Sequence, residues 1–308
     1  MTVNKSMITK SLVPGVKTFV GMAYGDVPEE HLPLFEVVKS NRHHEEDVML
    51  SGMQSAQVKE EGAAVVFDDI NEMWTARYQH ETVAIGFRVT KEAFDDDLYD
   101  NVARAKSTEL GRAMADTKQV KAAAIFNRGF SSSYVGGDGK ALFATDHPTA
   151  IGTFSNKVSV DLSETALEDA VIAISKMTNN TGVYIGARAV SLHIPPELIF
   201  TAERILKSTL SVTPMTAGGN NVSNKNDINA LKSTGRLSGG IHSNLRFTDP
   251  DAWFIKTSVS NGTKMYVREV LGMSNHTDFF TDNLLFKFRE RYSFGWTDPR
   301  GWYGSEGA

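Results

Sequence analysis

The chain has no cysteine among its 308 residues. That excludes disulfides, thiolate nucleophiles and cysteine-ligated metals, so stability must come from burial and from neighbouring subunits. No apolar run is long enough to span a bilayer, so no membrane partner is expected. The opening stretch from Met1 to Gly15 lacks the apolar segment and cleavage site of a secretory signal. Positive charge is also short, with 32 Lys and Arg against 37 Asp and Glu and a net charge of −5. Strong nonspecific phosphate binding needs clustered cations, so that role is disfavoured; a surface that merely faces nucleic acid is not excluded. What remains is an ordinary soluble composition, 41% hydrophobic and 22% charged, with chain enough for one large domain or two modest ones.

The motifs of catalysis are missing too. There is no G-x-S-x-G elbow to accompany Asp146-His147, which read as a turn before Pro148. Gly136-Gly137-Asp138-Gly139 is a turn signal and not a phosphate loop, since no G-x-x-x-x-G-K-[ST] occurs. The run His43-His44-Glu45-Glu46-Asp47 lacks the i, i+4 histidine pair that a helix offers a metal, and reads as a solvated charge run. No catalytic, cofactor-binding or metal-binding residue is therefore assigned, and no cofactor is expected.

What is present is length and pattern. From Lys91 to Arg128 apolar or small residues recur at Phe94, Leu98, Val102, Ala105, Ala113, Val120, Ala124 and Ile125, close to helical spacing. Thr90 can cap this helix, Asp95 to Asp97 suit its positive end, and Arg128-Gly129 stop it. Such a helix is about 57 Å long, against a diameter of about 50 Å for a compact globule of this size. Gly111 marks a bend, a close contact, or a break into two helices. Upstream, Ala63 to Phe67 and Ala76 to Val89 read as the strands of a hairpin around a polar turn at Asp68 to Asn71. Trp74 lies near its tip. An exposed aromatic there calls for a docking partner, and Trp74, Arg77 and Tyr78 are the inter-subunit contact candidates. Residues 1 to about 56 are broken by Pro14, Gly15, Gly21, Gly25, Pro28 and Pro33, and read as a loose arm with a short helix around His31 to Val38.

Downstream, Ser163 caps an amphipathic helix to Asn179, Ala189 to Ile194 alternates like a strand, and Glu197 to Ser208 is a further helix. Thr213 to Asn229 is a loop of Gly, Asn and Ser. Ile241 to Phe247, Trp253 to Ser258 and Lys264 to Val270 alternate. Asn283 to Trp296 is the sharpest pattern, with Leu284, Phe286, Phe288, Tyr292, Phe294 and Trp296 on one face, interrupted by Glu290. Lys287, Arg289 and Arg291 lie on the other face, to meet either DNA or acids such as Asp95 to Asp97. The fold class is α+β with mostly antiparallel pairing.

This order resembles the major capsid proteins of tailed bacteriophages, with the Hong-Kong-97-like fold. The resemblance is carried by Thr-Lys-Glu-Ala-Phe-Asp-Asp-Asp-Leu-Tyr (90–99) heading the long helix, Phe-Arg-Glu-Arg-Tyr-Ser-Phe-Gly-Trp (288–296) and Asp-Pro-Arg-Gly-Trp (298–302). Ala-Leu-Phe-Ala-Thr-Asp-His-Pro (141–148) and Asp-Pro-Asp-Ala-Trp-Phe (249–254) add to it. It implies an N-terminal arm at 1–57, an extended loop at 58–90, a peripheral domain at 91–154 with a spine helix at 91–129, and an axial domain at 155–240. Peripheral strands at 241–300 and a return to the axial domain at 301–308 complete it. It further implies a virion shell protein, not an enzyme, made in the host bacterial cytoplasm. Copies of itself would form pentamers and hexamers of an icosahedral shell, with portal, scaffolding and decoration proteins as partners and double-stranded DNA touched weakly and without sequence specificity. An encapsulin-type nanocompartment shares the fold and is the first alternative; a soluble α+β enzyme is the alternative of another class. One branch of the fold cross-links a loop lysine to a neighbour's asparagine. Asp68 to Arg77 contains no lysine, and Lys59 is placed at the hairpin base, so a non-covalent shell is expected.

Overall fold

The computed structural model describes residues 5–62, 64–90, 92, 99–210 and 228–308. The sharp alternation near the C-terminus builds the central strand. β12 (Leu284–Trp296) pairs antiparallel with β11 (Thr263–Thr277) on one side and with β4 (Glu81–Val89) on the other, and β1 (Glu36–Lys39) runs parallel to β11 at the edge. Against this four-stranded sheet lies α2 (Tyr99–Asn127), about 43 Å of unbroken helix. It runs straight through Gly111, which settles the choice between one helix and two. The part of the expected helix at 91 and 93–98 lies outside the described residues.

The N-terminal segment is not a loose arm. Lys5–Gly25 is a 21-residue helix, α1. Val16, Val20 and Ala23 are buried at helical spacing, and Val16 and Val20 pack with Leu110, Met114, Phe286 and Phe288. Pro14 and Gly15 obscure this stripe because proline and glycine are poor helix formers; tertiary packing overrides that preference here. A Cβ at Gly111 would lie 2.6 Å from the Val20 carbonyl oxygen and 3.0 Å from the Ala23 Cβ. Glycine therefore sets the crossing of α1 and α2. The expected helix at His31 to Val38 is instead a turn followed by β1.

A second sheet forms the other half of the chain, in the order β7 (Lys157–Val158), β13 (Trp302–Ser305), β10 (Trp253–Thr257), β8 (Ala189–Ile194) and β9 (Ile241–Ser243). β9 and β10, grouped in the sequence with the peripheral strands, belong to this sheet, on either side of β8. The helix α3 (Glu164–Ser175) is capped by the Ser163 hydroxyl, which accepts from the Ala166 amide at 3.1 Å. It buries Leu167, Ala170, Val171 and Ile174 against this sheet. α4 (Ile199–Lys207) follows a 3-10 turn at Pro196–Leu198, and α5 (Ala230–Ser233) is capped by Asn229. The loop expected at Thr213 to Asn229 lies, up to residue 227, outside the described residues. An aromatic core around Phe126, Phe143, Phe254 and Trp302 joins the end of α2 to β10 and β13.

Candidate subunit-contact surface

The hairpin differs from its sequence reading. Its outgoing strand is β2 (His44–Leu50), not Ala63 to Phe67, and it pairs antiparallel with β3 (Glu72–Gln79). The β-prone residues 64–67 form neither helix nor strand. Residues 51–71 are the connection, so Lys59 lies inside it and not at the base. From His44 onward the charge run is correspondingly an ordered strand. Asp47 accepts from Lys264 and, at 2.7 Å, from the Thr297 hydroxyl. That uses the only Thr297 hydroxyl proton, so Tyr78 donates its own to Thr297 Oγ1 at 2.6 Å. Trp74 Nε1 donates to the Thr297 carbonyl at 3.1 Å. The paired strands at the root of the hairpin, β2 and β3, are thus fastened along their length to the residue that follows β12.

This places the three contact candidates. Tyr78 is 2% exposed and stacks edge-on against Tyr266, inside its own subunit. Trp74 lies near the loop end of the paired strands, opposite Met49, but it is half-buried against its own chain. Arg77 faces outward, with a loose ion pair to Glu46 at 3.8 Å. The apolar groups that do stand in solvent were missed in the sequence. Phe67 is 91% exposed, Val58 97%, and Val65, Val66 and Ile70 are exposed beside them. A run of this size in water marks a surface that meets another molecule. Missing backbone pairing at 64–67 is the signal, and periodicity alone cannot show it.

A fixed hinge precedes the exposed loop. The Met53 carbonyl accepts from Asn179 Nδ2 at 3.1 Å and from the Thr181 hydroxyl at 2.9 Å. Gly52 permits this approach, since a Cβ there would lie 2.2 Å from Asn179 Nδ2. The loop is then closed by the Gln54 amide donating to Asp68 Oδ2 at 2.7 Å.

Glu290, the interruption in the β12 stripe, is an ion-pair partner on the buried face. Only 1% exposed, it accepts from Lys118 of α2 at 2.8 Å and from the Tyr24 hydroxyl of α1 at 3.1 Å. One carboxylate thus ties helix, helix and strand together; its Oε1 has no partner among the described residues. Burial and this carboxylate push the Tyr24 phenol up. On the other face Arg289 pairs with Glu269 of β11 at 3.3 Å, while Lys287 stays exposed.

The segments that carried the resemblance converge on one buried node. Asn156 Nδ2 shares its two protons among the carbonyls of Leu142, Pro299 and Trp302 at 2.8, 2.9 and 3.2 Å, while its Oδ1 accepts from the Ala144 amide at 3.0 Å. That orientation leaves Oδ1 facing His147 Nε2 at 3.0 Å, so Nε2 carries a proton. The other ring nitrogen lies 2.6 Å from Asp138 Oδ2, both side chains being buried. His147 is therefore held by the glycine-rich turn and by Asn156, while Asp146 pairs outside with Lys140. His147 opens β5 (His147–Thr149), which pairs antiparallel with β6 (Gly152–Phe154); its ring stacks on Phe154, and the Arg300 guanidinium lies over the Phe154 ring at 4.2 Å. Arg300 donates to the Thr178 carbonyl, Asn180 Oδ1 and Asp298 Oδ1. Burial pushes the Asp298 carboxyl up against the opposing pull of Arg300. Both nitrogens of His147 are engaged in this scaffold and neither bonds a serine. Among the described residues no group of three or more His, Asp or Glu is placed to hold a metal ion, and no helix is long and apolar enough to cross a membrane.

Comparison with curated protein sequences yields no match. The fold is similar to the capsid of the cyanophage P-SCSP1u, with a TM-score of 0.55 at 12% identity over 89% of this chain and 86% of that one. It is similar to a virus-like particle from Pyrococcus furiosus, with a TM-score of 0.54 at 12% identity over 95% and 98% of the two chains. The capsid of a native GTA particle gives 0.53 at 15% identity over 92% and 91%. This is the Hong-Kong-97-like fold. The sequence profile of the phage capsid protein family matches residues 73–305, from β3 to the last strand. Shared architecture and a profile spanning most of the chain place it in the phage capsid protein family, as a shell-forming structural protein of the virion.

Proposed function

We propose that many copies close into an icosahedral shell of pentamers and hexamers around double-stranded DNA, with the β2–β3 hairpin of each copy lying over a neighbour. One observation carries this reading: the hairpin is fastened to the body at its root yet exposes Phe67, Val65 and Val66 at its far end. A free-standing subunit gains nothing from that arrangement, because exposed apolar surface is stabilising only when covered. We assign α2 as the spine and β11–β12 with β4 as the peripheral sheet. The sheet around β8 and β10, with α3 and α4, is assigned as the axial body, reached again by β13. The extended loop of 58–90 gains β2 as its outgoing strand, and the arm of 1–57 is assigned in its first half to α1.

DNA contact is assigned to scattered cations such as Lys287, without sequence readout, in keeping with the net charge of −5. Portal, scaffolding and decoration proteins are the remaining partners, and synthesis is assigned to the host bacterial cytoplasm. Expression of the chain alone, or with a scaffolding protein, followed by negative-stain microscopy tests the reading. Closed particles of uniform size are expected; a monodisperse monomer at high concentration in both preparations contradicts it.

A further inference from the structure

The outer half of β11 is an open sheet edge. β1 covers only Lys264 to Val267. After two irregularities of register the strand runs regularly from Gly272 to Thr277 against Arg289 to Leu284 of β12. On its other side those residues have no strand partner among the described residues, and Gly272, Ser274, Asn275, His276 and Thr277 are exposed. An open edge presents a row of backbone N–H and C=O groups ready to pair with another strand. Proteins blunt such edges with proline, lysine or a bulge, but here both irregularities precede Gly272 and the six residues contain neither proline nor lysine.

A second segment has the opposite deficit. Residues 64–67, Ala-Val-Val-Phe, have the β-branched and aromatic character of a strand. They make no backbone hydrogen bond among the described residues, and Val65, Val66 and Phe67 stand in solvent. The two deficits cannot cancel within one subunit. Phe67 adjoins Asp68, which is tied to Gln54, and the hairpin root is held at Thr297, beyond the last residue of β12. The open edge lies opposite the first six residues of β12. From Arg289 to Thr297 is about 25 Å along the strand, and β3 leads into β4 so that the hairpin leaves the sheet at its Trp296 end.

We propose that residues 64–67 of one copy add as a strand to the Gly272–Thr277 edge of a second copy. The proposal rests on the reading of the chain as a shell subunit and names the seat of its loop. The hairpin that carries the donor leaves the sheet at the Trp296 end of β12 and the acceptor lies at its Leu284 end, so the contact is head-to-tail. A contact of this type repeats around a ring when the rotation closes, as a pentamer or hexamer requires. Backbone pairing would supply the affinity, and Val65 to Phe67 would be covered on whichever face they meet. Glu60, Glu61, Asp68 and Asp69 flank the donor, and Lys287 and Arg289 lie one strand behind the acceptor, Arg289 already paired with Glu269.

The absence of native cysteine makes the test clean. Cysteine is introduced in pairs, Val66→Cys with Ser274→Cys and Val65→Cys with Asn275→Cys, to sample both faces of the added strand, and each single variant is made alongside. Oxidised particles are run on a non-reducing denaturing gel. A ladder of covalent oligomers from at least one pair, with monomer from every single variant, is the expected result. Dimers from a loop cysteine alone would mean that two loops pair with each other, and would overturn the proposal. So would intact particles in which neither pair cross-links. Hydrogen exchange on the unmodified chain gives a second reading: amides of 64–67 and 272–277 should slow together, by at least about tenfold, on assembly. Particles that form with either segment unchanged sink this inference alone, whereas failure to form particles at all sinks the shell reading and the inference with it.

Discussion

The root and the far loop of one hairpin stand at opposite extremes of satisfaction. At the root, Asp47, Tyr78, Trp74 and Thr297 consume one another's donors and acceptors, and the same economy holds at the Asn156 node. In the loop, Val58, Val65, Val66 and Phe67 face water and the backbone of 64–67 has no partner among the described residues. A buried polar group without a partner costs about 1–3 kcal/mol, so saturation marks what the subunit needs in order to fold. Lack of it marks what the subunit keeps for its neighbours. The profile match begins at residue 73, where β3 leaves the loop, and so leaves the loop outside.

The comparison can be broken first at the node. Asn156→Ala would orphan the carbonyls of Leu142 and Trp302 together with the Ala144 amide, while the Pro299 carbonyl keeps the Trp302 amide. A loss on the order of 4 kcal/mol is expected, read as a depressed thermal midpoint or an insoluble subunit. A shift under about 1 kcal/mol would mean that the node is ornamental.

A smaller effect is expected where α1 crosses α2. Gly111→Leu inserts a side chain where even a Cβ meets the Val20 carbonyl oxygen at 2.6 Å. Overpacking of this kind costs about 1–3 kcal/mol, and α1 should become sensitive to limited proteolysis while far-UV circular dichroism of the body persists. Unchanged protection of α1 would show that the notch is not what seats it.

Acid should act on the saturated regions and spare the loop. Burial pushes His31, His80 and His193 below the ordinary histidine value, with His242 and Lys256 adding repulsion at His193. A histidine pKa lowered by folding means that the unfolded chain binds protons first. Stability is then flat above about pH 6.5 and falls as pH drops below it. Urea midpoints of the subunit measured from pH 8 to pH 5 should fall in that lower window, and a midpoint that rises on acidification would contradict the assignment.

Much of this was legible beforehand because it is written in single-element patterns. Ser163 caps its helix, Ala189 to Ile194 is a strand to the residue, and the alternation of 284–296 gives β12. What failed depends on partners distant in sequence. α1 is hidden by Pro14 and Gly15 until α2 supplies a surface for Val16 and Val20. β2 looks like a charge run because Asp47 finds Lys264 and Thr297 more than 200 positions away. Trp74 and Tyr78 were sound choices as aromatics needing partners, but the partners lie in their own chain, and Phe67 was hidden in a segment whose β-propensity suggested a strand already paired.

The position of Lys59 sharpens the contrast in another way. It lies in the exposed connection and not at the hairpin base, so the reason first given for a non-covalent shell falls. A different reason supports that outcome. The buried carboxylate of Glu290 is already engaged by Lys118 and Tyr24. Boiled particles should therefore give one band near the 33.8 kDa chain mass. A ladder that disappears in Lys59→Arg would identify a covalent lock.

The central claim is that the loop serves assembly and the root serves folding. Replacing residues 55–67 by a short Gly-Ser linker keeps Tyr78, Trp74 and the Met53 hinge, and is expected to change subunit stability by no more than about 0.5 kcal/mol. The decisive measurement is analytical ultracentrifugation of this variant beside the intact chain under assembly conditions, with circular dichroism on both. The account predicts that the intact chain sediments as closed particles and the variant as folded small species; a variant that still forms closed particles, or one that unfolds, would contradict it.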